Sequence, residues 1–474
     1  MTDHGPTASA LDLAAALRAR ELSAVELLDA CLAAVDEHNP QLNAIVWRND
    51  DEARAAARAA DERLAAGDAA PFLGVPIPIK DLDHVAGQPV TYGSNGAPDD
   101  IVEEDDLTIA ALRRAGFVLC GRSNTPEFGL ITATENSRFG ITRNPWDTDR
   151  TPGGSSGGAA AAVAGGMFPI AHASDGGGSI RIPASYCGLV GHKVSRGRMP
   201  MKIHAWMGAA VEGVETHTVA DTAAALDAMC GFDPLSWYNA PPLQRPLADE
   251  VGVDVGTLRI GLMTQVPGGL LPIDPECAKA AQEAGALLAD LGHEVTEVEV
   301  PTMSEELIEP FVVLTAAGLG DYPTVDWDKT DAHINYQYGV ATKGRGAFDY
   351  VAAAGKLELI SRRDVARWGR DFDVLVTPTC AALPPIAGET LKASIATPNA
   401  PVPSVIASVA FTAFGNVTGL PSISLPLYWT PDGLPVGVLF TGGPFDDAGV
   451  LRLAGQLEEA RPWANRRAVV AGTA

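Results

Sequence analysis

The residues that could do chemistry are concentrated at 151–185, TPGGSSGGAAAAVAGGMFPIAHASDGGGSIRIPAS. Two serine clusters stand in glycine with an alanine-rich segment between them. Gly153 and Gly154 precede Ser155 and Ser156, and Gly157 and Gly158 follow. Further on, Asp175, Gly176, Gly177 and Gly178 lead into Ser179. Glycine is costly to order, so this density needs a reason. One reason is close approach: without Cβ atoms, successive backbone N–H groups can converge on one anionic oxygen. A glycine nest ending in a serine therefore suits a nucleophile beside its own oxyanion hole. The bland alternative is a pair of Gly/Ser loops flanking a helix.

Two serines compete for that role. Gly153 to Gly157 satisfies G-x-S-x-G, the nucleophile elbow, which would make Ser155 the attacking group. An elbow serine leaves a hydrophobic strand, whereas residues 144–152 are polar and proline-bounded. An elbow also needs a histidine partner, and none stands out. His172 reads as a core or supporting residue. Upstream, the apolar run at 75–79 ends on Lys80. A lysine at the buried end of a strand loses its charge more readily and can serve as a base. Pairing of Lys80 with the adjacent Asp81 on the surface is the alternative.

Together these pieces resemble the amidase signature family, which combines GGSSGG with a later Gly-Gly-Ser-Ile-Arg-x-Pro-Ala run and an upstream Gly-Val-Pro-x-x-x-Lys-Asp. Here the motifs fall at 153–158, 177–184 and 74–81. The resemblance is strong from 74 to 198 and returns weakly after 371. It implies a single domain with an α/β fold, a mixed central β-sheet covered by helices on both faces. It implies hydrolysis of a carboxylic amide through an acyl-enzyme, with Ser179 as nucleophile, Ser155 as proton relay and Lys80 as base. Gly176, Gly177 and Gly178, with Ser179, would supply the oxyanion hole. Ser156, Asp175 and Arg181 would support the site, and the Gly154–Ser155 peptide would be cis. Two departures stand out. Gly176 replaces a threonine or isoleucine, and Gly191-His192-Lys193-Val194 replaces Gly-Leu-Lys-Pro.

The elements that must position these residues follow from local pattern. Residues 1–70 read as helices, with a capping box at Ser23–Glu26, an end at Asn39-Pro40, and a second helix at 51–66 closed by Gly67. A loop at 83–100 should lie near the mouth of the site. A helix at 107–115, a strand at 117–120 and a helix at 157–164 form the signature core, 74–198, whose alternation fits an α/β fold. The variable region, 202–370, contains a helix after Thr218, a strand at 258–263, a helix from Pro275 to Gly292 and a strand at 293–300. Within it, 311–348 reads as a long lid or pocket wall carrying Tyr322, Trp327, Tyr336 and Tyr338. Strands at 372–377, 421–427 and 434–442 and a helix at 446–459 complete the core. The uncharged stretch 393–431 is broken by prolines and reads as buried strands and loops.

Bulk properties narrow the function. The chain has 474 residues and a net charge of −25, which argues against a nucleic-acid partner. Its six cysteines lack C-x-x-C spacing, its histidines are dispersed, and no metal or other cofactor is implied. No secretory signal or membrane span is evident, so a cytoplasmic protein is expected, possible homodimerisation being left open. The expected substrate is a small apolar amide, aryl amide, carbamate (urethane) or ester, as for nylon-oligomer hydrolases, aryl acylamidases and urethanases. The alternative is the glutamine-using amidotransferase component of a tRNA-amidating complex.

Overall fold

The computed structural model describes residues 4–470. Among these residues, thirteen strands form three sheets. The first three strands are β1 (Ile45–Trp47), β2 (Pro76–Lys80) and β3 (Val118–Ser123); they make a small sheet in the order β1-β3-β2. Strands β4 (Glu135–Asn136) and β5 (Gly140–Ile141) pair only with each other. The remaining eight form the central sheet: β6 (Ile170–Asp175), β7 (Val190–Lys193), β8 (Val211–Thr216), β9 (Arg259–Leu262), β10 (Glu294–Glu297), β11 (Val374–Pro378), β12 (Ser422–Trp429) and β13 (Pro435–Thr441). Their order is β10-β9-β11-β13-β12-β7-β8-β6. Both pairs made by β9 are parallel and the others antiparallel, so the sheet is mixed and flanked by helices.

An edge strand of the small three-stranded sheet and one of the central sheet meet at the candidate site. β2 lies at the end of the small sheet, as its two prolines require, since a proline cannot donate to a ladder on both sides. β6 lies at the end of the central sheet, and Lys80 from β2 reaches Ser174 of β6. The site therefore sits on the seam between two sheets.

Local signals set most element ends. Ser23 and Glu26 form the expected capping box, but the helix continues from Ala24 to Leu42 through Pro40 and stops at a left-handed Asn43. A proline in the last turn removes one hydrogen bond without blocking the final one, in which the Asn43 N–H donates to the Asn39 carbonyl. Asp50–Ala65 is a helix with Gly67 just beyond it at φ +82°. Gly157–Ala164 is a helix whose every residue is buried. Its small side chains allow that close approach: a Cβ on Gly158 would stand 2.4 Å from the Asn124 backbone.

The variable region departs most from expectation. Residues 311–348 are mainly helical: Glu305–Ala317 and Ala332–Gly339 are linked through 3-10 turns at Gly318–Asp321 and Trp327–Lys329, and a π-helical turn at Val340–Gly344 leads towards Ala347–Val365. The strand expected at 293–300 shortens to β10. Within 393–431, helices at Pro403–Val409 and Ala413–Thr418 precede β12. Pro403 begins the first of these, where its missing N–H has no partner to lose. Pro426 falls where the register of β12 shifts, as a proline in a paired strand demands. Among the described residues, no helix is long and apolar enough to cross a membrane.

Asp447 fastens the last helix to the core. It accepts from the Ser195 N–H at 2.7 Å and pairs with Arg198 at 3.2 Å. Burial alone would raise its carboxyl, but His192, Arg198 and the Ser195 N–H hold it at about 2, below its ordinary 3.8. A carboxyl depressed by folding stabilises above its unfolded pKa and loses that contribution as pH falls toward the folded one. Asp447→Asn should therefore cost about 3–5 kcal/mol at neutral pH, by urea denaturation, because it leaves buried Arg198 unpaired. The gap from wild type should narrow below about pH 4.

Candidate active site

Lys80, at the end of β2, is fully buried. Its Nζ lies 2.8 Å from Ser155 Oγ, 2.8 Å from Ser156 Oγ, 3.0 Å from Ser174 Oγ and 3.2 Å from the Ser174 carbonyl. Burial drives its pKa down to about 8, against the opposing pull of Asp83, Glu212, Asp175 and Glu215. Surface pairing with Asp81 is thus replaced by a buried cage of hydroxyls. Asp81 instead accepts from the Thr91 and Gly93 N–H groups and pairs with Arg122, fixing the loop after β2.

Ser155 and Ser156 come from the turn before the Gly157–Ala164 helix, and Ser156 rather than Ser155 occupies its N-cap. The Gly154–Ser155 peptide is cis. Thr134 pins this turn: its hydroxyl donates to the Gly153 carbonyl at 2.9 Å and accepts from the Gly157 N–H at 3.0 Å. The Ser156 N–H donates to the Ser179 carbonyl at 3.1 Å, which holds the two serine clusters side by side. Among the described residues, the Ser179 hydroxyl makes no hydrogen bond.

Asp175 organises the glycine loop. Its carboxylate receives Arg181 through Nε and Nη2, both at 2.9 Å, and the Gly178 and Ile180 N–H groups at 2.7 and 3.1 Å. Asn416 donates to the same carboxylate at 2.8 Å. Burial would raise this carboxyl, but Arg181 and Asn416 prevail and hold it well below the usual carboxylate range. The Gly178 N–H is thereby committed to Asp175. Nothing in the sequence singles out Asn416; it lies on a short helix far along the chain, with no motif around it.

Gly176 has a steric explanation. Trp206 and Met207 adopt left-handed backbone, φ +53° and +58°, and this turns the Trp206 ring onto the glycine loop. A Cβ on Gly176 would stand 2.3 Å from Trp206 Cζ3, and one on Gly318 would stand 2.3 Å from Trp206 Nε1. The indole is slotted between two glycines and meets Phe311 edge-on at 6.2 Å. The threonine or isoleucine of the family pattern has no room here. Of the expected aromatic residues, Tyr322, Trp327 and Tyr338 pack with Tyr92 and Phe128 in one cluster, while Tyr336 is exposed.

The structure also assembles a group that sequence spacing could not reveal. Asp83, His172 and Glu212 place ligand-capable atoms within 4.8 Å of one another, all three residues being buried. They come from a loop and two strands.

The amidase family pattern matches residues 26–451. "Putative amidase AmiB2" of Mycobacterium tuberculosis (strain ATCC 25618 / H37Rv) is 38% identical over 457 residues, covering 94% of this chain and 94% of its own. The 6-aminohexanoate-cyclic-dimer hydrolase of Paenarthrobacter ureafaciens is 35% identical over 475 residues, covering 95% and 94%. A solved structure of 6-aminohexanoate cyclic dimer hydrolase complexed with substrate superposes with a TM-score of 0.90 at 32% identity, covering 98% of this chain and 99% of that one. The chain belongs to the amidase family. It is an amidase-signature amide hydrolase.

The Trp206 slot makes a measurable claim. Gly176→Ala should destabilise the fold by about 1–3 kcal/mol through overpacking. Adding Trp206→Ala should recover most of that loss, giving a coupling energy in a urea double-mutant cycle.

Proposed function

We propose that the chain hydrolyses small apolar carboxylic amides through an acyl-enzyme on Ser179, with Lys80 as base and Ser155 as the relay between them. The observation that carries this reading is the buried Lys80 Nζ, 2.8 Å from Ser155 Oγ, next to the loop that ends in Ser179. A base must be neutral to accept a proton, and desolvation supplies neutral lysine near physiological pH. Lys80 would take the Ser155 proton as Ser155 takes that of Ser179. The Ser179 oxygen then attacks the carbonyl carbon, and the proton returns through Ser155 to the departing amine. Water hydrolyses the resulting ester by the same path in reverse.

The developing oxyanion needs donors already aimed at it. With Gly178 bonded to Asp175, the donors are narrowed to the Gly176, Gly177 and Ser179 N–H groups, and Gly178 becomes the support that shapes them. Ser156 joins Lys80 to the Ser174 carbonyl, to which its hydroxyl donates at 3.0 Å, and so positions the lysine. The aromatic residues around Tyr92 and Tyr322 and the Trp206–Phe311 pair favour an apolar acyl or amine group. Aryl amides, carbamates and esters present the same carbonyl. A glutamine-using role in a tRNA-amidating complex is less favoured, since the relatives at 38% and 35% identity are named as amidase and hydrolase.

The nucleophile can be assigned directly. Ser179→Ala should abolish labelling by a fluorophosphonate, whereas Ser155→Ala should slow labelling but leave the adduct on Ser179, as peptide mapping reads it. An adduct on Ser155, with Ser179→Ala labelling normally, would overturn the mechanism.

The lysine sets the pH dependence. Its neutral form grows as pH rises through about 8, so kcat/KM on an anilide should climb through that region and level off above it. Lys80→Ala should lose that activity while keeping the wild-type circular dichroism.

A further inference from the structure

Asp83, His172 and Glu212 form a buried cluster behind Lys80 that the proposed chemistry does not use. The fold brings them there. The Asp83 N–H donates to the Lys80 carbonyl at 3.4 Å, and Glu212 of β8 stands directly across from Ser174 of β6, whose hydroxyl and carbonyl hold Lys80 Nζ. Successive side chains in a strand alternate faces, so His172 shares the face of Ser174, and its cross-strand neighbour Glu212 shares it too.

The contacts inside the cluster are incomplete in a particular way. His172 is fully buried, and neither ring nitrogen makes a well-aligned hydrogen bond. Asp83 Oδ2 and Glu212 Oε2 are likewise buried without one. Yet Glu212 Oε2 lies 3.0 Å from His172 Nε2, and Asp83 Oδ2 lies 3.8 Å from His172 Nδ1. The facing oxygens of the two carboxyls lie within 4.8 Å of each other.

Two carboxylates buried this close cannot both remain ionised without a compensating cation, and burial keeps the His172 imidazole from being that cation, lowering its pKa to about 4. A metal ion fits the arrangement poorly, because each carboxyl approaches a different nitrogen of the ring. A histidine ligand binds a metal through one nitrogen, and both carboxylates would have to gather on that side. A proton satisfies the same demand without that constraint.

We propose that Asp83 and Glu212 share a single proton beside a neutral His172, and that the one negative charge they retain sets the protonation of Lys80. The three are positioning residues for the lysine, and the proposal rests on the reading of Lys80 as the base. The sign follows from charge. A doubly ionised pair would raise the proton affinity of Lys80 and deplete the neutral form that accepts a proton; an uncharged pair would leave burial to lower its proton affinity further. Other ionisable groups act on the lysine and the cluster: Asp175 on β6, Glu215 on β8, whose carboxyl burial pushes well above the usual range, Arg122 on β3 with its partner Asp81, and Asp106 before the helix at Leu107–Arg114. Arg122 donates through Nη2 to the Asp83 carbonyl at 2.5 Å and pairs through Nε with Asp81, while its Nη1 is buried without a partner.

Shared protons leave a non-additive signature. In Asp83→Asn or Glu212→Gln alone, the remaining carboxylate keeps the single charge, so the lower limb of the kcat/KM–pH profile should stay close to the wild-type position. The double variant D83N/E212Q removes the charge and should move that limb toward acid by about one unit or more. Two single shifts that sum to the double shift mean two independent charges and overturn the proposal. A double variant with an unmoved limb overturns it as well. A second measurement needs no turnover and only one folded single variant. The infrared difference spectrum at neutral pH, wild type minus variant, should show the C=O stretch of a protonated carboxyl, and its absence would sink the shared proton. Stoichiometric divalent metal in the wild-type protein that is lost in D83N/E212Q would replace the proton by an ion. Lys80→Ala with retained turnover would instead overturn the base assignment and the tuning with it, while the infrared band reports on the proton separately.

Discussion

The buried pair of Asp175 and Arg181 is the interaction on which the rest of the site depends. A carboxylate removed from water is tolerable only with its oxygens fully engaged, and here they hold a guanidinium, two backbone N–H groups and the Asn416 amide. Gly178, Ile180 and Arg181 are neighbours of Asp175 in the chain, whereas Asn416 comes from far along it. The backbone donors shape the loop from Gly176 to Ser179. Arg181 continues to the Thr412 carbonyl and the Ser422 hydroxyl, at 2.8 and 3.0 Å, and so reaches the C-terminal strands. The glycine loop is thus fixed from beneath by residues more than two hundred positions away.

Lys80 presents the converse problem, a basic group buried among oxygens rather than opposite a carboxylate. Hydroxyls and a carbonyl satisfy its hydrogen bonds in either charge state, so burial can lower its proton affinity without leaving it unpartnered. This is possible because the site lies between two sheets. β2 delivers the lysine from the edge of one, β6 delivers Ser174 and Asp175 from the edge of the other, and the serine turn closes the gap. A lysine on a strand inside a continuous sheet would instead point into a packed face.

Much of this is legible in the residues. The glycine–serine clusters, the lysine at the end of an apolar run and the cap at Ser23 are local patterns, and the structure brings Lys80 to Ser155 and Ser156, the Ser179 carbonyl to the Ser156 N–H, and Asp175 to Arg181. The helix at Gly157–Ala164 is readable for the same reason, since its alanine run has one good conformation. What misleads is also local. Pro40 reads as a stop, although a proline in a last turn interrupts too little to end it. The segment 311–348 reads as a loop, but its helices are stabilised by docking, as where the Asp331 N–H donates to buried Glu127 at 2.8 Å.

By itself, then, the sequence determined which residues stand together along the chain: the serine turn, the glycine nest, the caps, and the identity of the family that shares them. Only the tertiary structure decided which distant residues meet. Sequence spacing encodes neighbours a turn or a pleat apart, whereas contacts between strands depend on the order in which the sheet places them. β6 and β8 pair although β7 lies between them in the chain, and that order sets Glu212 opposite Ser174, while the packing of β2 against β6 across two sheets brings Asp83 to His172. Likewise, Gly176 is an unexplained departure until Trp206 is seen lying where its side chain would have been.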